Sequence, residues 1–522
     1  MNARGILAHC CTSPQGCHAL EPRQRRGQSV PRGSTHHGSS SAALVLLSAL
    51  VIVAAAVTSP ARAADAAPRA VADKGPAPPA PYEAHRVVAD GRSWFPVFSP
   101  DGRSLAYLTL NEEGTTVLLG VAQAGKQPRV VAQLVEPTGK RLTSRLWRSM
   151  YCFPMLLWAP DGKSVYFLAR EDRTVVCGGI DLATGERRDF GRIDKPRNYS
   201  PRQFEFGPDG RPVVSFVYRG EGAPGARTEL APCEGVPLAV FDPAGDGKTV
   251  TRTDGPYRRF LVTPDRKGMI ATTPFQVWRL DERYQRREKL IEFEDPEDVR
   301  RVLFAGGRII VVIRPNPNKR RGDYSLLAGG KLTPLRSSNL AFDQMAALPD
   351  GRLLWAEPPG QAFRIEIGDW TGGTPTFRDT GTDLDGLAKL DQFCPSPGGR
   401  RVVAMVTPKP EQEVDRRLRL MGFGIGGMSP FHMNPKLTKR LLLLEPGRAA
   451  TRAVRIDLPG EGKLLLTERD AVAWSPDGRR AAFVRTLTNH LERNMDATPI
   501  GLMPCEFLSR GDIWTLTFPD GK

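Results

Sequence analysis

The chain has 522 residues, 40% of them hydrophobic and 25% charged, with a formal net charge of +16 and only seven histidines. Its 52 glycines and 46 prolines make up close to one residue in five, against about 12% in ordinary globular proteins. The apolar content excludes a disordered chain and the helix breakers exclude long helical bundles, which leaves a turn-rich, mostly β protein.

Residues 1–40 are polar and basic, with Arg23, Arg25, Arg26 and Arg32 against the single acid Glu21. An apolar run from Ala42 to Val57 follows, then small residues at Ala61 and Ala63. A basic segment, an apolar core and a small-residue site predict an export signal over 1–63, cut after Ala63. At 16 residues the apolar run is short of the roughly 20 that cross a bilayer as an anchor. No membrane span is predicted in the mature chain. Residues 64–83 are Ala- and Pro-rich without periodicity and read as a linker. Removing 1–63 takes away six arginines and one glutamate, so +11 of the +16 remains.

From residue 84 onward one short pattern recurs: an apolar segment, a Ser/Ala-Pro-Asp-Gly-Arg/Lys turn, and a second apolar segment. It reads FPVFSPDGRSLAYLTL at 95–110, MLLWAPDGKSVYFLA at 155–169 and FEFGPDGRPVVSFV at 204–217. Weaker copies begin at Phe260, Met345 and Gln392, a strong one at Ala471, and VLFAGGRIIVVI at 302–313 is a copy without the proline. Within a copy, Pro100 presets φ, Asp101 bonds nearby backbone and Gly102 supplies a positive φ, so each copy is a hairpin of two strands. Third strands are predicted at 115–122, 174–181, 237–243 and 276–282, and a fourth as in 128–135. The copies lie 41 to 79 residues apart, which fits four-stranded units of about 40–50 residues with insertions. The last copy, ending in GDIWTLTF at 511–518, lacks a fourth strand. The segment AHRVVAD at 84–90 has the length and character to supply it, which would remove the free sheet edges.

These units resemble the TolB-type β-propeller repeat of exported bacterial proteins, over about residues 84–522. The resemblance implies an all-β fold: a single β-propeller of about eight four-stranded blades, seven if 302–313 is not a blade. Its ring would be closed by strand 84–90. It also implies a periplasmic or secreted protein that serves as a protein-interaction platform. An N-terminal α/β domain like that of the best-known member is not visible here.

The turn aspartates Asp101, Asp161, Asp209, Asp265, Asp350 and Asp477 are read as turn chemistry rather than as a ring of catalytic carboxylates. The sequence contains no G-x-S-x-G, which argues against a Ser-His-Asp peptidase. After signal removal only His85, His432 and His490 remain, too few and too scattered for a histidine-rich metal centre. No catalytic residue, metal or cofactor is predicted. Five cysteines remain as well (Cys152, Cys177, Cys233, Cys394 and Cys505). Their odd number leaves at least one unpaired, and a Cys152–Cys177 bridge stays open.

Two connections swell far beyond a hairpin, at 408–438 and 486–510, and a long segment at 136–152 falls nearby in the predicted topology. All three emerge opposite the Pro-Asp-Gly turns. They gather the candidate binding residues Arg145, Trp147, Arg148, Met421, Phe423, Met428, Phe431, His432, Met433, His490, Met495 and Met503. Met- and Gly-rich loops suit adaptable contact with a partner. The expected partner is a protein or an anionic envelope polymer, with no nucleic acid. The alternative is a propeller enzyme, a lyase or glycan hydrolase, using carboxylates such as Glu411, Glu413 and Asp415 at the central channel.

Overall fold

A computed structural model describes residues 81–519 apart from 114, 136–154, 172–173, 195–198, 219–236, 274, 294–297, 315–321, 339–343, 358–363, 381–386, 409–439, 448–450, 460–471 and 486–510. The predicted signal and linker residues 64–80 lie outside it. Contacts divide the chain into Met1–Pro78 and Pro79–Lys522, and everything described belongs to the second unit. Among the described residues there is no helix, only strands and turns.

The strands follow one another in antiparallel fours. The first are β1 (Glu83–Phe98), β2 (Ser104–Leu110), β3 (Val117–Gln123) and β4 (Arg129–Val135), then β5 (Met155–Trp158), β6 (Ser164–Glu171), β7 (Thr174–Asp181) and β8 (Arg187–Asp194). Next come β9 (Tyr199–Phe206), β10 (Pro212–Tyr218), β11 (Ala239–Phe241) and β12 (Val250–Arg252), and β13 (Arg259–Val262), β14 (Gly268–Thr272), β15 (Gln276–Asp281) and β16 (Arg286–Glu292). The copy without proline forms β17 (Asp298–Ala305) and β18 (Arg308–Arg314), joined by Gly306–Gly307 and continued by β19 (Gly322–Ala328) and β20 (Lys331–Ser338). Then follow β21 (Met345–Ala347), β22 (Leu353–Glu357), β23 (Arg364–Thr371) and β24 (Thr374–Asp379), and β25 (Leu387–Pro395), β26 (Val402–Pro408), β27 (Arg440–Pro446) and β28 (Thr451–Ile456). The chain ends with β29 (Ala473–Trp474), β30 (Arg480–Arg485) and β31 (Gly511–Thr517). β5–β8 through β25–β28 make six four-stranded sheets, and the remaining strands form one sheet in the order β29-β30-β31-β1-β2-β3-β4.

That larger sheet exists because β1 has two partners. Its N-terminal part pairs antiparallel with β31, from Glu83 opposite Thr517 to Ser93 opposite Gly511. Its C-terminal part pairs with β2, from Trp94 opposite Leu108 to Phe98 opposite Leu105. The strand expected at 84–90 therefore pairs where the sequence placed it. The packed chain begins slightly earlier: the Tyr82 hydroxyl, in the segment that composition assigns to the linker, accepts a hydrogen bond of 2.7 Å from the Asp457 amide.

All but the last of the hydrophobic clusters are shared by two sheets that follow one another in the chain. The last joins the two ends of the chain within the seven-stranded sheet. Leu108 and Leu119 pack with Leu156, Trp158 and Phe167, and Phe190 packs with Phe216 and Phe241. Val213 packs with Phe260 and Met269. Further along, Ile270 meets Val311, Ile310 meets Trp355, Leu354 meets Ala404 and Val403 meets Phe483. Finally Ala482 and Ile513 pack with Leu105 and Tyr107 of the first strands. The first strand of a sheet also lies against the first strand of the next, as β1 does with β5, β5 with β9 and β17 with β21, and within the seven-stranded sheet β29 lies close to β1. Successive antiparallel sheets packed face to face around their first strands define a β-propeller.

Turn chemistry explains the hairpins. In the first copy the Gly102 amide donates to the Ser99 carbonyl at 2.8 Å, while an Asp101 carboxylate oxygen accepts from the Ser99 hydroxyl at 2.6 Å and the Arg103 amide at 2.9 Å. Gly102 sits at φ 69°, in the left-handed region that a side chain disfavours. Where TPDRK replaces the motif, Arg266 adopts φ 56° instead, so the turn imposes its geometry even without glycine.

Candidate functional site

The twelve candidate binding residues fall in 136–154, 409–439 and 486–510, outside the described residues, as do Glu411, Glu413, Asp415 and Cys152. The structure does describe the strand ends that launch those connections. β26 ends at Pro408 and β27 starts at Arg440, while β30 ends at Arg485 and β31 starts at Gly511. Antiparallel alternation puts both openings on the edge opposite the Pro-Asp-Gly turns. Arg485 ties this edge together, since its guanidinium donates to the carbonyl of Pro459, just beyond β28 of the preceding sheet, at 2.6 Å.

Around the second opening lies a polar network that the sequence reading missed. Asp512 is fully buried, and Arg485 is only 4% exposed. One Asp512 oxygen accepts from the Gly91 amide at 3.0 Å. The other lies 2.7 Å from Arg86, a close ion pair that lacks hydrogen-bond alignment. Burial pulls the Arg485 guanidinium below its ordinary value, and the Asp512 charge partly offsets this. Its face covers the Trp514 ring, 5.1 Å from the centroid. Asp90, where the chain crosses from the last sheet to the first, accepts from the Arg92 amide at 2.9 Å, the Ser93 hydroxyl at 2.8 Å and the Thr109 hydroxyl at 2.7 Å. The only sequence signal was an acid at the start of an otherwise apolar strand, in GDIWTLTF, and an Asp-Gly pair in ADGRS.

The turn aspartates do what turn chemistry predicts. Asp161, Asp209, Asp350 and Asp477 each accept the amide two residues on, and Asp265 accepts the Thr263 hydroxyl at 2.6 Å. Hydrogen bonds from Ser99 and the Arg103 amide hold Asp101 below the ordinary carboxylate range, and Asp265 is lowered in the same way by Thr263 and Lys267. Such groups are acceptors at neutral pH, not proton donors. Among the described residues, no group of three or more His, Cys, Asp and Glu side chains is placed to hold a metal ion. His85 lies on an exposed stretch of β1 beside Glu83. Cys177 is a free, buried thiol, its pKa pushed up by desolvation.

Much of the basic surplus has a structural use. Arginines that follow a turn reach across to backbone far away in the chain. Arg480 donates to the Gly102 carbonyl, Arg266 to the Gly207 carbonyl at 3.0 Å, and Arg352 to the Pro446 carbonyl at 3.2 Å. Several also cover rings, as Arg308 does Trp370 at 4.4 Å and Arg401 does Phe518 at 5.2 Å. Each such contact stabilises by about 0.5–2 kcal/mol, depending on desolvation.

No family model matches the chain. A stretch of 98 residues is 35% identical to dipeptidyl-peptidase 5 of Porphyromonas gingivalis, covering 19% of this chain and only 13% of that protein. Among solved structures, the β-propeller domain of the Trilobed protease of Pyrococcus furiosus, described as having an open velcro topology, is 11% identical with a TM-score of 0.36. That similarity covers 83% of this chain and 95% of the other. TolB of Acinetobacter baumannii is 20% identical with a TM-score of 0.28, over 54% of this chain and 65% of its own. At such scores the fold assignment rests on the sheet topology itself. No helix among the described residues is long and apolar enough to cross a membrane.

Proposed function

We propose that the protein is an exported, non-enzymatic β-propeller of eight blades that binds a protein or an anionic envelope polymer through the edge carrying 408–438 and 486–510. The observation that carries this reading is the placement of both openings on one edge, bridged by the Arg485–Pro459 bond. Two long connections from neighbouring sheets, on the side away from the tight turns, are how a rigid scaffold presents binding loops. The eight-blade count is supported by the cycle of apolar clusters, the last of which joins the end of the chain to its start. Export to the periplasm or beyond is supported by the basic and apolar leader, cut after Ala63.

The test compares the intact protein with variants lacking 410–437 or 487–509, each checked for unchanged thermal unfolding. Envelope extract and purified anionic cell-wall polymer are passed over all three. Loss of the same bound species from both deletion variants is the expected result. Equal recovery by all three sinks the reading.

A further inference from the structure

A cleft of 390 Å³ opens between the crossing segment Asp90–Arg92 and the face of β2–β4. That volume lies within the ordinary range of small-molecule sites, about 300–1,000 Å³. Two hydrogen-bond donors in its walls have nothing to bond among the described residues. Tyr107 is 3% exposed, yet its hydroxyl makes no hydrogen bond there. Burial, with the Asp90 charge second, pushes this phenol up to about 12, so it is a proton donor throughout the neutral range. The Nε of Arg92 is buried without a partner, and its guanidinium forms no ion pair among these residues.

The phenol is held in place by a close approach. Its ring lies over Gly120, where a Cβ would come within 2.2 Å of a ring carbon and 2.6 Å of the hydroxyl oxygen. Only glycine at 120 lets the hydroxyl reach the outer strand. There Val130, 54% exposed, and Leu118 give the cleft an apolar floor. A buried donor left unsatisfied is costly, and the Arg92 Nε is such a donor at the wall of this opening.

The charges narrow the ligand. Asp90 is already occupied by Arg92 N–H, Ser93 and Thr109. At the rim, Glu112 and Glu113 are exposed on the β2–β3 turn and line the same cleft. A simple anion would meet the guanidinium but also these carboxylates. A ligand with a carboxylate at one end and an ammonium at the other satisfies both walls.

We propose that this cleft binds a small zwitterion of the amino-acid or dipeptide class, its carboxylate on Arg92 and the Tyr107 hydroxyl and its ammonium facing Glu112 and Glu113. Calorimetric titration of the full chain with the dipeptide Ala-Leu, N-acetyl-Ala-Leu and Ala-Leu amide tests it. The free dipeptide is expected to bind, and each blocked form to bind about tenfold more weakly or worse. Tyr107→Phe and Arg92→Met should weaken the free dipeptide by a similar factor. Tyr107→Phe should leave the unfolding midpoint in place, because the hydroxyl makes no internal bond. The double substitution Glu112→Gln and Glu113→Gln should abolish only the preference for a free amino group. Absence of binding at millimolar dipeptide, equal affinity for the three ligands, or wild-type affinity in the Tyr107 and Arg92 variants would each overturn the proposal.

Discussion

Two kinds of junction coexist in this propeller. Between the first two sheets the buried core of the contact is apolar: Leu108, Leu119, Val165 and Phe167 are all fully buried. Where β1 meets β31, buried charge enters instead: Asp512 and Arg485 are buried, and Asp512 accepts from the Gly91 amide and pairs with the more exposed Arg86. The difference follows from connectivity. Consecutive sheets are tethered to each other by the chain, so apolar packing need only hold what the tether has positioned. At β1–β31 the partners are more than 400 residues apart, and a slip of one residue would exchange inward and outward side chains. A buried acid whose two oxygens face one backbone amide and one guanidinium accepts a single register.

The contrast can be broken by substitution. Asp512→Ala leaves Arg485 buried and the Gly91 amide bare, and should cost about 3–5 kcal/mol in urea unfolding. Asp512→Asn keeps an acceptor for Gly91 and should cost clearly less. Similar losses for the two would mean that the Gly91 bond contributes nothing and that the charge alone holds the junction. At the apolar junction, Leu119→Ala should cost about 2–4 kcal/mol through lost burial and a residual cavity. Leu119→Met should restore most of it, since volume alone matters there. Smaller still is the indole latch: Trp158 Nε1 donates to the Val97 carbonyl, and Trp474 Nε1 to the Cys394 carbonyl, each at 2.9 Å. Replacing either tryptophan by Phe should cost about 0.5–1.5 kcal/mol for the bond, with some added loss of packing. The two effects should add, because the sites share no partner.

The latch also shows what was legible in the sequence and what was not. The repeat, the hairpin turns and the strand at 84–90 could be read because each depends on local chemistry: Pro-Asp-Gly closes a turn wherever it occurs, and alternation marks a strand. The pattern WAPDG or WSPDG gave no hint that its tryptophan bonds the neighbouring sheet two residues before the preceding turn. Nor could the spread of arginine be understood. Arg480 and Gly102 are 378 residues apart, so a surface surplus and a long-range strut look alike along the chain. Asp512 was hidden for the same reason, its partners lying at the opposite end of the sequence. The Met- and His-bearing connections at 408–438 and 486–510 were legible as insertions by length alone. What their side chains touch depends on contacts that composition does not encode.

The turns give the smallest effect and the finest test of the distinction between local and long-range order. Asp101 has a folded pKa below its ordinary value, first because Ser99 donates to it and then because the Arg103 amide does. For a depressed carboxylate the stabilisation is complete above the unfolded value, near about 3.9, and is lost as pH falls through the folded value. Ser99→Ala removes the larger cause, so Asp101 should titrate closer to the ordinary range by carboxyl-carbon NMR. The stability gap between wild type and variant should then be constant above about pH 5 and narrow below pH 4. The Asp512 variants act through a buried acid at the junction rather than through this turn. Their deficit measured at neutral pH should persist when Ser99→Ala is added, with the two losses summing. If the combined variant falls short of that sum, the first turn and the β1–β31 junction are coupled through β1, and the separation of local turn from long-range register fails.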